Sequence, residues 1–428
     1  MFKGTEIIKA GAGMPVKDTA SRLMGEMLSR PRIYGWHVDP SISDPSQAIT
    51  YLADARGKTP AAMGASTFSY GGWEKAFFMP KPCMLRYDGT VAYYLDPNDY
   101  TKKADGTPSD VANASFEGNA MMEWPLIWYK FEAGEAEGEG SFYCSDRQVD
   151  ESYHCWCNIN ANDEIIPHFY TAIYNGTGTA KLRSLSGVQL TSANGNGDTT
   201  VSVDISKAAA NGTGWYIETL SVRSLINSLL ILIGKNLNCS EVFGNGITGT
   251  GVQETRNNKE NYYTGTCNDK GLFWGSLSSH TQPVKVFGME NWWGCVFRRV
   301  AGLLHDSGTQ RYYVKLTSGR SDGTTVDGYS FSSHTGYITL DIPVSYTAGG
   351  YIRTMRFSQY GFYPLVLSGN ASDNYWHSWW AVFSDSGHPI MNSLAGGMVT
   401  GRASAFEIDF TSEEASSYTL SSCLTFRP

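Results

Sequence analysis

Clear helical periodicity is confined to one stretch of this chain, and that restriction limits its possible folds more than any other feature. From Thr219 to Ile233, apolar residues recur at intervals of three and four residues, which predicts a helix that is apolar nearly all round in its second half. Thr219 is placed to cap this helix, and Gly234 is placed to end it. Most of the rest consists of glycine-bounded aromatic segments, which predict short strands and long loops. The sequence therefore predicts an α+β fold with one buried helix.

Several shorter segments carry weaker signals of secondary structure. Asp88-Gly89 separates two runs of β-forming residues, and this arrangement predicts a hairpin. Met121–Phe131 and His168–Tyr174 are strongly apolar and aromatic, as expected of strands. Thr19–Leu28 and Gln47–Ala55 have the pattern of short helices.

Charge and hydropathy exclude two classes of partner. The net charge of this 428-residue chain is −8, so it lacks the basic face that a nucleic-acid-binding protein needs to displace counterions. Its longest apolar run, Leu229–Ile233, is far too short for a membrane span, and we expect no membrane insertion. The first residues, Met-Phe-Lys-Gly-Thr-Glu, lack an apolar signal core. A particle that is assembled in the cytoplasm and released by lysis fits this pattern.

The eight cysteines are scattered and contain neither a CxxC pair nor a dense disulfide framework. We therefore expect most of them to be small buried apolar residues. His154, Cys155 and Cys157 come closest to a set of metal ligands, but a soft-metal site needs about four ligands and no second cluster accompanies them. The sequence predicts no metal and no other cofactor.

The known catalytic motifs are absent or lack the context that gives them meaning. Gly244–Gly249 matches the dinucleotide-binding fingerprint in its letters, but it follows a helix instead of a strand. Neither a Gly-x-Ser-x-Gly elbow nor a His-Glu-x-x-His pair is present. Two of the many carboxylates could face each other as in a glycosidase, which leaves a glycan-degrading enzyme as an alternative. Our expectation is that the chain is not an enzyme.

Aromatic residues are concentrated near the C-terminus, where Asn374–Phe383 contains three of the 12 tryptophans. A half-buried strand points only every second side chain inward, so a run this aromatic is expected to expose some of its rings. Tyr and Trp also provide rigid contact area at low entropic cost, which suits a binding surface. The predicted ligand-binding residues are Asp373, Asn374, Tyr375, Trp376, His377, Ser378, Trp379, Trp380, Asn392, Ser393, Arg402 and Phe406.

Five segments resemble elements of a known family, in the same order along the chain. Phe287–Phe297, which reads FGMENWWGCVF, resembles an element of the formylglycine-generating-enzyme type of C-type lectin fold. Gly89–Asn98 and Met122–Lys130 resemble two further elements, and Lys181–Gly187 and Gly214-Trp215 also recur in the family; the likeness extends from about Ile33 to Pro428. The fold occurs in variable proteins of diversity-generating retroelements and in tail proteins of phages. The resemblance implies a small twisted sheet with two helices and long loops, the last of which form the ligand-binding face.

The resemblance also implies an organisation into two regions. Residues 1–110 are expected to form a β-rich N-terminal attachment and oligomerisation region, and residues 111–428 a C-type-lectin-like ligand-binding domain. In the retroelement proteins the C-terminal segment, here about residues 350–428, is diversified by adenine-directed mutagenesis. Cys423 stands alone, without the paired catalytic cysteines of formylglycine-generating enzymes, so the resemblance implies binding and not catalysis.

The expected function is that of a receptor-binding protein in a virion, at the tail fibre or tail tip, or of an equivalent protein on a bacterial surface. Its expected partners are a host-surface protein or glycan and other tail proteins, with the chain acting as a homotrimer. A structural tail or baseplate component and a glycan-degrading tail enzyme are the alternatives.

Overall fold

A computed structural model describes residues 30–189, 199–248, 263–317, 329–342, 349–368, 370, 375–382, 390–397, 402–416 and 420–428. Strands account for 37% of the structure and helices for 9%, so the fold is β-rich. The predicted α+β class is therefore wrong, and the C-type-lectin-like architecture is not confirmed. In place of one small sheet, the described residues form three large sheets of four, seven and nine strands and two two-stranded sheets, and the large sheets include pairings between segments far apart in sequence.

The strands are β1 (Ile33–Val38), β2 (Ile49–Ala53), β3 (Ala62–Met63), β4 (Phe68–Ser69), β5 (Lys81–Arg86), β6 (Val91–Asp96), β7 (Asp99–Lys103), β8 (Gly118–Pro125), β9 (Trp128–Ala133), β10 (Gly140–Ser145), β11 (His168–Ala172), β12 (Trp215–Ile217), β13 (Lys285–Val286), β14 (Met289–Glu290), β15 (Phe297–Asp306), β16 (Arg311–Val314), β17 (Ile338–Thr339), β18 (Gly350–Ser358), β19 (Gly361–Ser368), β20 (Trp379–Val382), β21 (Ile390–Ala395), β22 (Ile408–Thr411), β23 (Leu420–Ser421) and β24 (Leu424–Phe426). The helices are α1 (Val201–Ala209), α2 (Leu220–Gly234) and α3 (Cys239–Phe243), with a short 3₁₀ helix at Trp156–Asn158.

Two of the sheets join the N-terminal part of the chain to later strands. The four-stranded sheet has the order β2-β1-β10-β9, and the seven-stranded sheet has the order β12-β24-β11-β8-β5-β6-β7. Strand β1 pairs with β10, and β5 pairs with β8, both antiparallel. The boundary predicted near residue 110 therefore runs through two sheets and does not separate two structural units among the described residues. Residues 1–29 lie outside the described part of the chain.

The hairpin predicted at Asp88-Gly89 is confirmed, because β5 and β6 pair across it. Gly89 has a φ of +84°, a left-handed conformation that favours glycine. The helix predicted over Gln47–Ala55 is wrong, because this segment contributes strand β2, where Tyr51 pairs with Trp36. Pairing with a neighbouring strand has overridden the local helix signal there. The helix predicted over Thr19–Leu28 falls outside the described residues.

The predicted long helix is confirmed as α2, which lies in the interior of the molecule. Leu225, Ile226 and Leu229 are fully buried, as expected from the apolar spacing. Thr219 makes no side-chain capping bond, and Lys235 closes the helix in a left-handed conformation with a φ of 51°. A single hydrophobic core contains this helix together with residues of the four-stranded and nine-stranded sheets.

The nine-stranded sheet contains four of the predicted ligand-binding residues, Trp379 and Trp380 on β20 and Asn392 and Ser393 on β21. Its order is β17-β16-β15-β21-β22-β20-β18-β19, and β23 adds a parallel pairing to β15. Strand β20 runs parallel to β22 and antiparallel to β18. Side chains on one face of this sheet pack toward the core, and alternate residues point to the opposite face.

Candidate functional site

The structure divides the predicted ligand-binding residues into three groups. Asp373 and Asn374 lie outside the described residues. Four of the others are half-buried, namely Tyr375, His377, Trp379 and Arg402. The other six are buried, so the prediction that they form an exposed surface is wrong. These residues are Trp376, Ser378, Trp380, Asn392, Ser393 and Phe406.

The buried tryptophans are part of the aromatic core. Trp376 packs against Phe406 with ring centroids 5.1 Å apart. Trp380 is 0% exposed and lies 5.4 Å from the ring of His305 and 6.0 Å from that of Phe410. Strand alternation places Trp380 on the inner face of the sheet, so the same alternation turns Trp379 outward.

Two polar side chains on β21 donate hydrogen bonds to backbone carbonyl groups. The Asn392 side-chain amide donates to the carbonyl oxygen of Phe331 at 3.4 Å, and the Ser393 hydroxyl donates to that of Val300 at 3.0 Å. These contacts hold both residues inside the protein and explain why the sequence signal misplaced them.

Tyr375 and His377 lie apart from the outer face that carries Trp379. Tyr375 lines a small cleft that includes Pro40 of the N-terminal region. His377 has a left-handed backbone with a φ of 47°. Burial lowers the pKa of His377, Glu241 partly opposes this effect, and His280 adds to it. The half-buried residues of the predicted aromatic segment therefore lie at separate places and do not form one continuous surface.

Trp379, Arg402 and Tyr351 form a half-buried cluster, which we name the Trp379 platform. The Arg402 guanidinium carbon lies 3.8 Å above the Trp379 ring, a close cation–π contact. The Tyr351 ring meets the same indole edge-on, with centroids 4.9 Å apart and an interplanar angle of 90°. Tyr351 and Trp379 are register partners on β18 and β20, so paired strands hold both rings in place.

Two buried carboxyl groups accompany the platform. Asp409 is the register partner of Ala381 on β20, and Glu407 precedes it by two residues; both are 1% exposed. Burial raises the pKa of both groups well above the ordinary carboxyl range; Asp409 raises that of Glu407 further, and Arg402 opposes both shifts. A Cβ at Gly397 would lie 2.3 Å from Glu407 Oε1, so only glycine allows this close approach.

This arrangement suits recognition better than glycoside hydrolysis. A glycosidase needs two carboxyl groups that flank the substrate, whereas Glu407 and Asp409 are enclosed by protein. On the platform, by contrast, the Arg402 guanidinium makes no hydrogen bond to any other described residue and can donate to a ligand. Stacked aromatic and guanidinium groups of this kind are the side chains that contribute most to binding energy at interfaces.

The cysteines and the suspected metal ligands have structural surroundings. All eight cysteines are free and buried, which confirms that prediction. His154 stacks on Trp156 with ring centroids 4.7 Å apart, and the Cys157 sulfur lies 3.5 Å from the Tyr129 hydroxyl. Within the described ranges, no group of three or more His, Cys, Asp or Glu side chains is arranged to hold a metal ion.

Sequence reasoning found Trp379 and Arg402 but missed Tyr351, Glu407 and Asp409. The alternation of acids with apolar residues in Phe406–Phe410 was a usable signal, because it places two carboxyl groups on the same side of a strand. Tyr351 had no comparable signal, since its role depends on pairing with a strand that follows a long connection.

Comparisons with known proteins provide no relative, because neither protein-family models nor curated proteins match this chain. Among the helices in the described part of the chain, none has both the length and the apolar character that a membrane span requires.

Proposed function

We propose that this chain is a receptor-binding protein of a phage tail, or of a bacterial surface, that attaches to a host-surface protein or glycan through the Trp379 platform. The observation that carries this proposal is the stacked, half-buried pair of Trp379 and Arg402, with Tyr351 against it on an adjacent strand. The proposed mechanism is stacking on the aromatic rings combined with hydrogen bonds from the guanidinium, without catalysis.

The position of the platform supports this proposal. Rings held by paired strands lose little conformational freedom on binding, so little of the interaction energy is spent on ordering the site. Arg402 offers several donors in a fixed plane, which suits carboxylates, hydroxyls and amides alike. The net charge of −8 is compatible with a protein or glycan partner and unfavourable for nucleic acid.

The proposed setting follows from the family resemblance of the sequence. We place the chain in the virion, at the tail fibre or tail tip, as a homotrimer in contact with other tail proteins. Several copies would add avidity to a single weak site. Light scattering of the purified chain tests this part, and a stable monomer at micromolar concentration would contradict it.

Diversification of residues 350–428 is a separate part of the proposal. Sequencing this gene in many isolates of one population should show variation confined to adenine positions of that segment. The Trp379 codon, TGG, contains no adenine, so this ring should remain constant while its neighbours vary. Variation spread evenly along the gene would count against diversification.

Adsorption of the labelled full-length chain to a panel of intact gut and Gram-positive bacterial strains tests the function. We expect saturable adsorption to at least one strain and a loss of about thirtyfold in affinity for Arg402→Ala, since truncating a residue that dominates binding costs about 2 kcal/mol. Arg402→Lys should retain part of the affinity, because it keeps the charge but not the planar donors.

The two variants should melt at nearly the temperature of the original protein, because Arg402 is only half-buried and lies outside the strands of the sheet. Absence of saturable adsorption to every strain, or unchanged adsorption of Arg402→Ala, would overturn the proposal. Unchanged adsorption together with normal folding would favour a structural tail component.

A further inference from the structure

Buried positive charge exceeds buried negative charge where helix α2 meets strand β15. Arg223 and Arg298 are 4% and 1% exposed, and both bind Glu218. Arg223 Nε lies 2.6 Å from Glu218 Oε1, and Arg298 Nη1 lies 3.4 Å from Glu218 Oε2. Within the described residues, neither guanidinium has a second carboxylate partner. One negative and two positive charges leave one positive charge unbalanced.

The neighbouring groups do not neutralise this charge. The Trp292 ring lies 3.7 Å from the guanidinium carbon of Arg223 and 5.2 Å from that of Arg298, and it contributes only a quadrupole. Burial lowers the pKa of Arg223 to about 10, against the opposing effect of Glu218, so the guanidinium remains protonated at neutral pH. An unbalanced buried charge costs several kcal/mol, which creates a demand for a counter-ion.

Arg223 also lines an internal cavity of about 40 Å³ between α2 and the nine-stranded sheet. Its Nε binds Glu218, and its Nη1 donates to the carbonyl oxygen of Trp292 at 3.0 Å. Nη2, the remaining nitrogen, is buried and has no hydrogen-bond partner in the described structure. The remaining wall is largely apolar and includes Leu220, Val300, Leu303, Met355, Phe362 and Ala405.

The size and lining of the cavity limit what it can hold. One water molecule needs about 10–15 Å³ measured in this way, so the space suits a halide ion or a carboxylate group but not a sugar or a nucleotide. An apolar wall replaces few of the hydrogen bonds that an ion makes in water. A weakly hydrated anion therefore loses the least hydration free energy when it enters the cavity. Ser393 and Phe406, which the sequence assigned to an external surface, line this cavity.

We propose that the cavity beside Arg223 is a binding site for a small, weakly hydrated monovalent anion, held by Arg223 Nη2 and balancing the Arg223–Glu218–Arg298 cluster. The site is internal and independent of the Trp379 platform. Its occupant stabilises the packing of α2 against the nine-stranded sheet, so the stability of the protein depends on the type of anion in solution.

The test measures unfolding of the full-length chain in sodium bromide, with sodium fluoride added to keep the ionic strength constant. Bromide should stabilise the protein in a saturable way, raising the folding equilibrium constant about elevenfold at ten times its dissociation constant. Ala405→Val fills the cavity and should abolish this response. Ala172→Val, at an equally buried alanine in the seven-stranded sheet, should retain it.

Anomalous diffraction from crystals of the original protein grown in bromide provides a readout that needs no variant. A bromide peak within hydrogen-bond distance of Arg223 Nη2 is the expected result. Water alone at that position, equal effects of bromide and fluoride, or an undiminished response in Ala405→Val would each overturn the proposal.

Discussion

Replacing Glu218 by glutamine should strongly destabilise the protein, because it removes the carboxylate shared by two buried guanidinium groups. In the original protein one negative charge faces Arg223 and Arg298; in Glu218→Gln two positive charges remain without a carboxylate partner among the residues that the structure describes. Breaking a buried ion pair by removing one partner costs about 3–5 kcal/mol. This is a large part of the total stability of a typical domain, which is about 5–15 kcal/mol.

Urea unfolding followed by tryptophan fluorescence measures this loss. The matched control is Glu132→Gln, since Lys130 and Glu132 are also 2.6 Å apart but the Glu132 side chain is 46% exposed. A pair of that kind contributes about 1 kcal/mol or less. The two ion pairs thus have the same nitrogen–oxygen distance, and their glutamates differ in burial.

A double variant tests whether charge balance causes the effect. Glu218→Gln combined with Arg223→Met restores the original excess of one positive charge. The double variant should therefore lose less stability than the sum of the two single losses, with an interaction energy of about 1–3 kcal/mol. Additive losses, or a Glu218→Gln loss as small as that of Glu132→Gln, would show that charge balance at Glu218 does not stabilise the protein in this way.

Three further perturbations have outcomes fixed by burial. Leu229→Asp should prevent folding, since an unpaired carboxylate would lie inside helix α2; a soluble variant with unchanged melting would contradict this. Burial lowers the pKa of His305 to about 4, so the neutral ring stabilises the fold above the ordinary histidine pKa of about 6.5. That contribution, about 3 kcal/mol, is lost as the pH falls from about 6.5 to about 4, and His305→Gln should show a smaller loss over this range. Burial raises the pKa of Asp409, so for this residue the protonated carboxyl stabilises the fold. This contribution to the free energy of unfolding is complete below the ordinary carboxyl pKa of about 4 and is lost as the pH rises through the folded-state pKa. Urea unfolding measures the stability of Asp409→Asn and of the original protein at each pH. The difference, variant minus original, should therefore be greater at pH 8 than at pH 5.

Local signals in the sequence predicted the elements that depend on local interactions. The Asp88-Gly89 turn needs only the conformational freedom of glycine, and helix α2 needs only its apolar spacing. Tyr51 lies in a strand because of its pairing with Trp36, which no local pattern contains. The β-rich class was missed for the same reason, since pairings such as β1 with β10, β12 with β24 and β15 with β21 join strands that are distant in sequence.

The candidate site was predicted in part, for a related reason. Strand alternation correctly required that some rings point outward, and Trp379 is such a ring. It could not decide which of two adjacent tryptophans is buried, because that depends on the register of β20 against β22. The Glu218–Arg298 contact joins residues that are 80 positions apart and has no sequence signature.

Adsorption of Trp379→Ala, compared with that of Trp274→Ala, tests whether the Trp379 platform is the ligand-binding face. Both indoles are half-buried and lie against a cation, since Lys270 is 5.2 Å from the Trp274 ring, but Trp274 lies on a different surface. We expect Trp379→Ala to weaken adsorption to a susceptible strain about thirtyfold, while Trp274→Ala adsorbs as the original protein does. Equal adsorption of the two variants, with both correctly folded, would contradict the assignment of the ligand-binding face to the Trp379 platform.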